Sequence, residues 1–234
     1  MIDPVEAIVF YVVFVFSVTV HEAAHATAAL FGGDPTAYEG GQVSLDPITH
    51  MQREPFGMVV LPLIGVVMSG WPLGWASAPF DPTWAERYPR RAAWMALAGP
   101  AANLALFVLM GVGVQIGLAM GAFEVPMRIN FDQITTAAGD PNGVAAGLAF
   151  IMSVTFSMNL LLFVLNMIPI FPLDGGTALT LLLPESMLDA YYAVVRHPLI
   201  AIGGLILVFT QFRRIFRPIL FAAIDFLYPG VSYS

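Results

Sequence analysis

The chain has 234 residues, of which 58% are hydrophobic and only 11% charged. Soluble domains sit near half apolar and a quarter charged, so this balance excludes a soluble globular protein and predicts a chain that crosses a membrane several times. The nine basic residues are all arginines against sixteen acidic ones, a net charge of -7, which leaves no basic patch for nucleic acid. With no cysteine at all, disulfides, thiolate zinc sites and cysteine nucleophiles are excluded, and any metal chemistry falls to His, Asp and Glu.

The first apolar run is predicted as a helix from about Pro4 to Phe31, stopped by Gly32-Gly33-Asp34-Pro35. The start, Met-Ile-Asp-Pro-Val-Glu, carries no positive charge, so the span is expected to be retained and not cleaved as a signal peptide. Within this run lies His21-Glu22-Ala23-Ala24-His25. At i and i+4 two imidazoles project from one helix face, close enough to share a tetrahedral metal, and Glu22 can reach a metal-bound water. The competing reading is a pair of satisfied polar side chains between packed helices, although ionisable groups inside a span are costly unless paired or functional.

Residues 36 to 55 are polar, and the alternation Gly41-Gln42-Val43-Ser44-Leu45 suggests a short strand or hairpin. Phe56 to Ala76 is apolar but holds Pro62, Gly65, Gly70, Pro72 and Gly74, so a re-entrant hairpin is expected in place of a straight span. Arg87, Arg90 and Arg91 place the following loop on the cytoplasmic side. A long helix is predicted from about Ala92 to Gly121, interrupted early at Ala98-Gly99-Pro100 and followed by Asn103. An acidic outer stretch, Glu124 to Asn142, leads to a span from about Val144 to Ile168.

That span ends in Asn166-Met167-Ile168-Pro169-Ile170-Phe171-Pro172-Leu173-Asp174-Gly175-Gly176, where prolines and glycines unwind the chain around an aspartate. A catalytic zinc takes three protein ligands and keeps one position open, and His21, His25 and Asp174 supply three. The topology supports the set: a first span running inward, with a hairpin that does not cross, brings Gly99-Pro100 and Asp174 to the depth of the histidines. For Asp174 alone, a turn aspartate before glycine is the competing reading. The remaining chain, Thr177 to Ser234, contains a short apolar stretch, an interfacial piece with Arg196 and His197, and an apolar pair split by Arg213, Arg214 and Arg217. The expected fold class is an all-α polytopic membrane protein, a helical bundle of about five or six membrane segments with the re-entrant hairpin and a short β element near the active site. One domain covers residues 1–234, with a core of about 4–183 and C-terminal membrane segments over about 184–234.

These motifs together resemble the site-2 protease family of intramembrane zinc metalloproteases. The matching pieces are the HExxH of residues 21–25, Ala98-Gly99-Pro100 with Asn103, and Asn166 and Pro169 through Pro172 to Leu173-Asp174-Gly175. Val43 to His50, Gly57, Pro62, Gly74-Trp75-Ala76 and Pro89-Arg90-Arg91 are similar to the compact bacterial and archaeal branch. No stretch has room for a PDZ or CBS domain. The resemblance implies Zn²⁺ on His21, His25 and Asp174, with Glu22 as general base. Asn166 is the candidate for holding substrate backbone or the oxyanion, or else a helix-to-helix hydrogen bond; Asn103 is read as structural.

The implied substrate is a transmembrane protein segment that unwinds in the bilayer, with Gly41 to Leu45 offered for strand addition or serving as an ordinary surface hairpin. The implied location is a prokaryotic cell membrane, multi-pass, with the active site towards the cytoplasm. His50 is either a solvated loop histidine or folds over the zinc, contacting the tetrahedral intermediate or capping the open position. Two rivals are a silent protease-like membrane chaperone, disfavoured because His21, Glu22, His25 and Asp174 are all present, and an ion transporter, disfavoured by the lack of two related halves.

Overall fold

The structure, a computed structural model, describes residues 3–231 and residue 233. Among the described residues, four helices are long and apolar enough to cross a membrane: α1 (Pro4–Phe31), α6 (Pro89–Ala119), α7 (Val144–Asn166) and α10 (Pro198–Leu227). A bent helix pair brings the number of candidate spans to five. The chain is thus an all-α polytopic membrane protein.

Local chemistry sets the bounds of α1. Asp3 caps its first turn by accepting from the Val5 amide at 2.8 Å, and Pro4 supplies a preset first position. Its 28 residues extend about 42 Å, more than a hydrocarbon core requires. One face is a lipid stripe of exposed Val5, Ile8, Val12 and Phe16. The opposite face buries Phe10, Phe14 and Val18 in a core shared with Val154 and Met158 of α7. The second half of α1 packs on α6, and α7 closes the bundle.

Between α1 and α6 run α2 (Thr36–Glu39), α3 (Pro47–Arg53), a π-helical turn over Phe56–Val60, α4 (Leu61–Ser69) and α5 (Pro82–Arg87). The axis bends by 115° between α3 and the Phe56–Ser69 helix. The chain then reverses at Gly70, whose φ of +74° is open to glycine at no steric penalty, and returns as extended backbone. Helix and return touch backbone to backbone: the Trp75 amide donates to the Gly57 carbonyl at 3.2 Å, and a Cβ on Gly74 would lie 2.2 Å from that oxygen. The two ends meet again where Ser77 Oγ donates to Glu54 Oε1 at 2.6 Å and Arg53 Nε donates to the Ser77 carbonyl at 3.3 Å. The segment from 56 to 76 is therefore a hairpin, as its breakers predicted.

Three details differ from expectation. Residues 41 to 45 form turns and bends and no strand, because their polar groups are engaged locally. The Gly41 and Gln42 amides close the end of α2 on Tyr38 and Ala37, and Ser44 Oγ accepts from the Asp46 amide. The two-stranded sheet lies elsewhere, pairing β1 (Phe123–Glu124) with β2 (Thr136–Ala137). It sits in the α6–α7 connection, about 24 Å along α6 from Asn103. Second, α6 continues unbroken through Pro100, which removes only one backbone donor. Third, the C-terminal pair is one helix, α10, since arginines favour helix and Pro218 alone does not break it. Its Phe216 packs with Leu160 and Val164 of α7, while Arg213, Arg214 and Arg217 stay exposed.

Candidate metal centre

His21 and His25 lie one turn apart in the second half of α1, both buried, with Glu22 buried between them. Their Nε2 atoms are 2.9 Å apart. The Asp174 carboxylate, at the first position of α8 (Asp174–Ala178), brings Oδ2 to 3.1 Å from His21 Nε2 and Oδ1 to 3.3 Å from His25 Nε2. The structure thus joins three of the residues singled out in the sequence across 153 positions.

The far side of each ring fixes its proton. Asn103, wholly buried on α6, spends its amide hydrogens on the Ser17 carbonyl at 3.3 Å and on Asn159 Oδ1 at 2.8 Å. It therefore turns its oxygen to His21, and Nδ1 of His21 donates to it at 2.5 Å. His25 Nδ1 likewise donates to the Met95 carbonyl at 2.7 Å. Asn159 of α7 completes the network by donating to Ser17 Oγ at 2.9 Å and to the Thr155 carbonyl at 2.8 Å. With both ring hydrogens on Nδ1, both Nε2 atoms present lone pairs to the site, the arrangement that outer hydrogen-bond partners impose on metal-bound histidines.

Two lone pairs and a carboxylate repel at 2.9 to 3.3 Å unless a cation or a proton stands among them. Neighbouring ligands of tetrahedral zinc lie about 3.3 Å apart, so the donor set has the spacing and the chemistry that zinc takes. Two further observations fit. Gly99 of α6 keeps space open against the imidazoles, since a Cβ there would lie 2.5 Å from His21 Nε2 and 2.4 Å from His25 Nε2. Glu22 Oε2 is buried without a hydrogen-bond partner, and a ligand atom of Glu22 lies within 4.8 Å of one on each histidine. An unsatisfied buried oxygen costs about 1–3 kcal/mol, and a water beside the metal would satisfy it.

The turn that carries Asp174 is tightly built. A Cβ on Gly175 would lie 2.5 Å from the Met167 and Ile168 carbonyls, so this position admits glycine alone. Tyr191 of α9 (Leu188–Val195) donates its hydroxyl to the Gly176 carbonyl at 2.5 Å, and burial raises the Tyr191 pKa, keeping that hydroxyl a donor.

Two other sequence candidates make local hydrogen bonds to their own segments. Asn166, the last residue of α7, donates Nδ2 to the Leu162 carbonyl of its own helix at 3.1 Å. His50, buried in α3, donates Nε2 to the Ser44 carbonyl at 2.9 Å. Its observed contact closes the 44–50 loop. The sequence reading missed Asn159, the Met95 carbonyl and Tyr191. Asn159 had one visible sign, an amide at mid-length of the apolar run from 144 to 166. An open apolar groove of about 560 Å³ runs along another face of α1, lined by Val20, Ala23, Ala24, Thr27, Ser44 and Leu45 among others and by none of His21, Glu22, His25 and Asp174.

The fold and the cluster define a class: a polytopic membrane protein whose bundle interior carries an HExxH motif and, beside its two imidazoles, the carboxylate of an aspartate. Comparison with known proteins makes the class specific. The model of peptidase family M50 matches residues 9–210, and the chain belongs to that family of metallopeptidases. A relative from Bacillus subtilis (strain 168), printed as "Putative zinc metalloprotease YwhC", is 29% identical over 174 residues, covering 74% of this chain and 68% of its own. No solved structure matches the chain.

Proposed function

We propose that the protein is an intramembrane zinc endopeptidase that hydrolyses a peptide bond within or near a transmembrane segment of another membrane protein. One observation carries the reading: two Nε2 lone pairs and the Asp174 carboxylate converge within 3.3 Å inside a membrane bundle, beside the orphaned Glu22 carboxylate. His21, His25 and Asp174 would hold the metal. Zn²⁺ bound there supplies Lewis-acid polarisation of the scissile carbonyl and lowers the pKa of the attacking water.

Glu22 Oε2, with no protein partner, accepts the proton of the attacking water and delivers it to the leaving amine. Burial of Glu22 and its neighbours keeps bulk water out, which strengthens these charge interactions. The groove beside Ala23 and Ala24 suits an unwound apolar chain, and Ser44 and Leu45 on its rim offer backbone to it. Asn166, its amide oxygen free of the hydrogen bond that Nδ2 makes, is the proposed donor or acceptor for substrate backbone after a rotamer change. His50 shapes the rim by holding the Ser44 carbonyl. With Arg53 before the hairpin and Arg87, Arg90 and Arg91 after it, the positive-inside tendency puts both its flanks, and with them the opening of the site, towards the cytoplasm.

The test is Glu22→Gln in purified protein with a detergent-solubilised transmembrane peptide. Zinc content should match wild type while cleavage is lost, since the base is removed and all three ligands stay. Turnover at the wild-type rate in this variant refutes the mechanism; a wild-type chain that binds zinc and cleaves nothing supports the silent-relative reading.

A further inference from the structure

We infer that Arg90 is a positioning residue for Asp174, acting on the metal centre through the helical rod that carries this carboxylate; the inference rests on the proposed metal site. Asp174 starts α8, which continues into a 3-10 turn over Leu179–Leu182. At the far end of this rod the last carbonyls run short of helical partners, as at every helix C-terminus, and only that of Thr180 closes the turn by accepting from the Leu183 amide at 3.3 Å. The Arg90 guanidinium takes three of them: NH1 donates to the Thr180 carbonyl at 3.3 Å and the Leu181 carbonyl at 2.5 Å, and NH2 donates to the Leu183 carbonyl at 3.0 Å. A cation at the negative end of a helix is favoured, and the planar fork spans several acceptors, which a lysine ammonium cannot reproduce.

What makes this more than an ordinary cap is where Arg90 stands. It is in the first turn of α6, the helix whose next three turns carry the Met95 carbonyl on His25, Gly99 against both imidazoles and Asn103 on His21. One rigid helix therefore grips the histidines at one level and the Asp174 rod at another. The distance from the Arg90 grip to Gly99 sets where the Asp174 carboxylate can sit relative to the two Nε2 atoms. Thr180, wholly buried, adds an internal bond from Oγ1 to the Thr177 carbonyl at 2.7 Å, so the rod moves as a unit.

The experiment measures zinc affinity by chelator competition on the 234-residue chain in detergent, for Arg90→Gln, Asp174→Asn, the double variant, and Arg87→Gln at the end of α5 as a control of equal charge change. Arg90→Gln should bind zinc at least tenfold more weakly, Arg87→Gln within twofold of wild type, and the double variant no more weakly than Asp174→Asn, because Arg90 acts through that carboxylate. If Arg90→Gln and Asp174→Asn add in full, or Arg90→Gln binds like wild type while Asp174→Asn is weakened, the inference is overturned and the metal site stands. If Asp174→Asn binds zinc like wild type, the site reading itself fails. Should Arg90→Gln not assemble, Arg90→Lys, which keeps the charge and loses the planar fork, takes its place in the same cycle with the same criterion.

Discussion

Gly99→Ala tests the metal centre with a single methyl group. The new Cβ would stand 2.4 Å from His25 Nε2, 2.6 Å from His25 Cε1 and 2.5 Å from His21 Nε2, about 1 Å inside ordinary contact. Neither ring can swing away freely, because Asn103 holds His21 and the Met95 carbonyl holds His25. The strain must go into separating α1 from α6 or breaking one of those bonds, and overpacking of this kind costs about 1–3 kcal/mol. If the bundle keeps its packing, that energy is taken from metal binding, which at 1.4 kcal/mol per factor of ten weakens zinc about five- to 150-fold. The same change raises helix propensity by about 0.5–1 kcal/mol, so loss of the helix is not the expected route. Zinc per chain by mass spectrometry, chelator competition and helicity by circular dichroism form the assay. Gly111→Ala on the same helix, where a Cβ meets Phe156 at 3.4 Å, should retain zinc. Zinc affinity equal to wild type in a folded Gly99→Ala protein would show that the space beside the imidazoles is not where a metal binds.

Asn159→Leu removes the acceptor for Asn103 and the donor to Ser17, leaving buried polar groups unpaired at about 1–3 kcal/mol each, so both melting temperature and zinc affinity should fall; a variant unchanged in both would show that the network does not brace His21. Cysteines placed singly at Gln52 and Ser77 in this cysteine-free chain should react with an impermeant thiol reagent from the same side of the membrane, since the hairpin ends touch, and labelling from opposite sides would refute the hairpin. His50→Ala should leave zinc content untouched while weakening substrate use, as the Ser44 carbonyl loses its anchor; a lost zinc would put the imidazole at the metal instead.

How much of this was legible in the sequence depended on how locally each feature is encoded. The ends of α1 follow from an Asp-Pro cap and a Gly-Gly stop, and the i, i+4 imidazoles need only one helix, so both could be read without tertiary knowledge. Asp174 was reachable because zinc takes a third ligand, which weighed against the competing reading of a turn aspartate before glycine. The supposed strand at 41 to 45 failed for a local reason too: five alternating residues cannot outbid turns that satisfy the same amides at once. The helix-to-helix contacts behaved differently. In water an apolar stripe tells which face of a helix is packed, but in a bilayer the lipid face is as apolar as the core, so the pattern along α6 and α7 carries almost no rotational information.

What does carry it is the rare polar side chain. Ser17, Asn103 and Asn159 come from three different helices, are wholly buried, and bond to one another. Each would be costly facing lipid, and each lies within its apolar run where water cannot serve it, so the arrangement that satisfies all three at once fixes the rotation of α1, α6 and α7 together. That same rotation aims His21 and His25 at Gly99. The polar network is thus the register mark of the bundle, and reading amides in apolar runs as mutual partners would have placed Asn159 at the site before any coordinates existed.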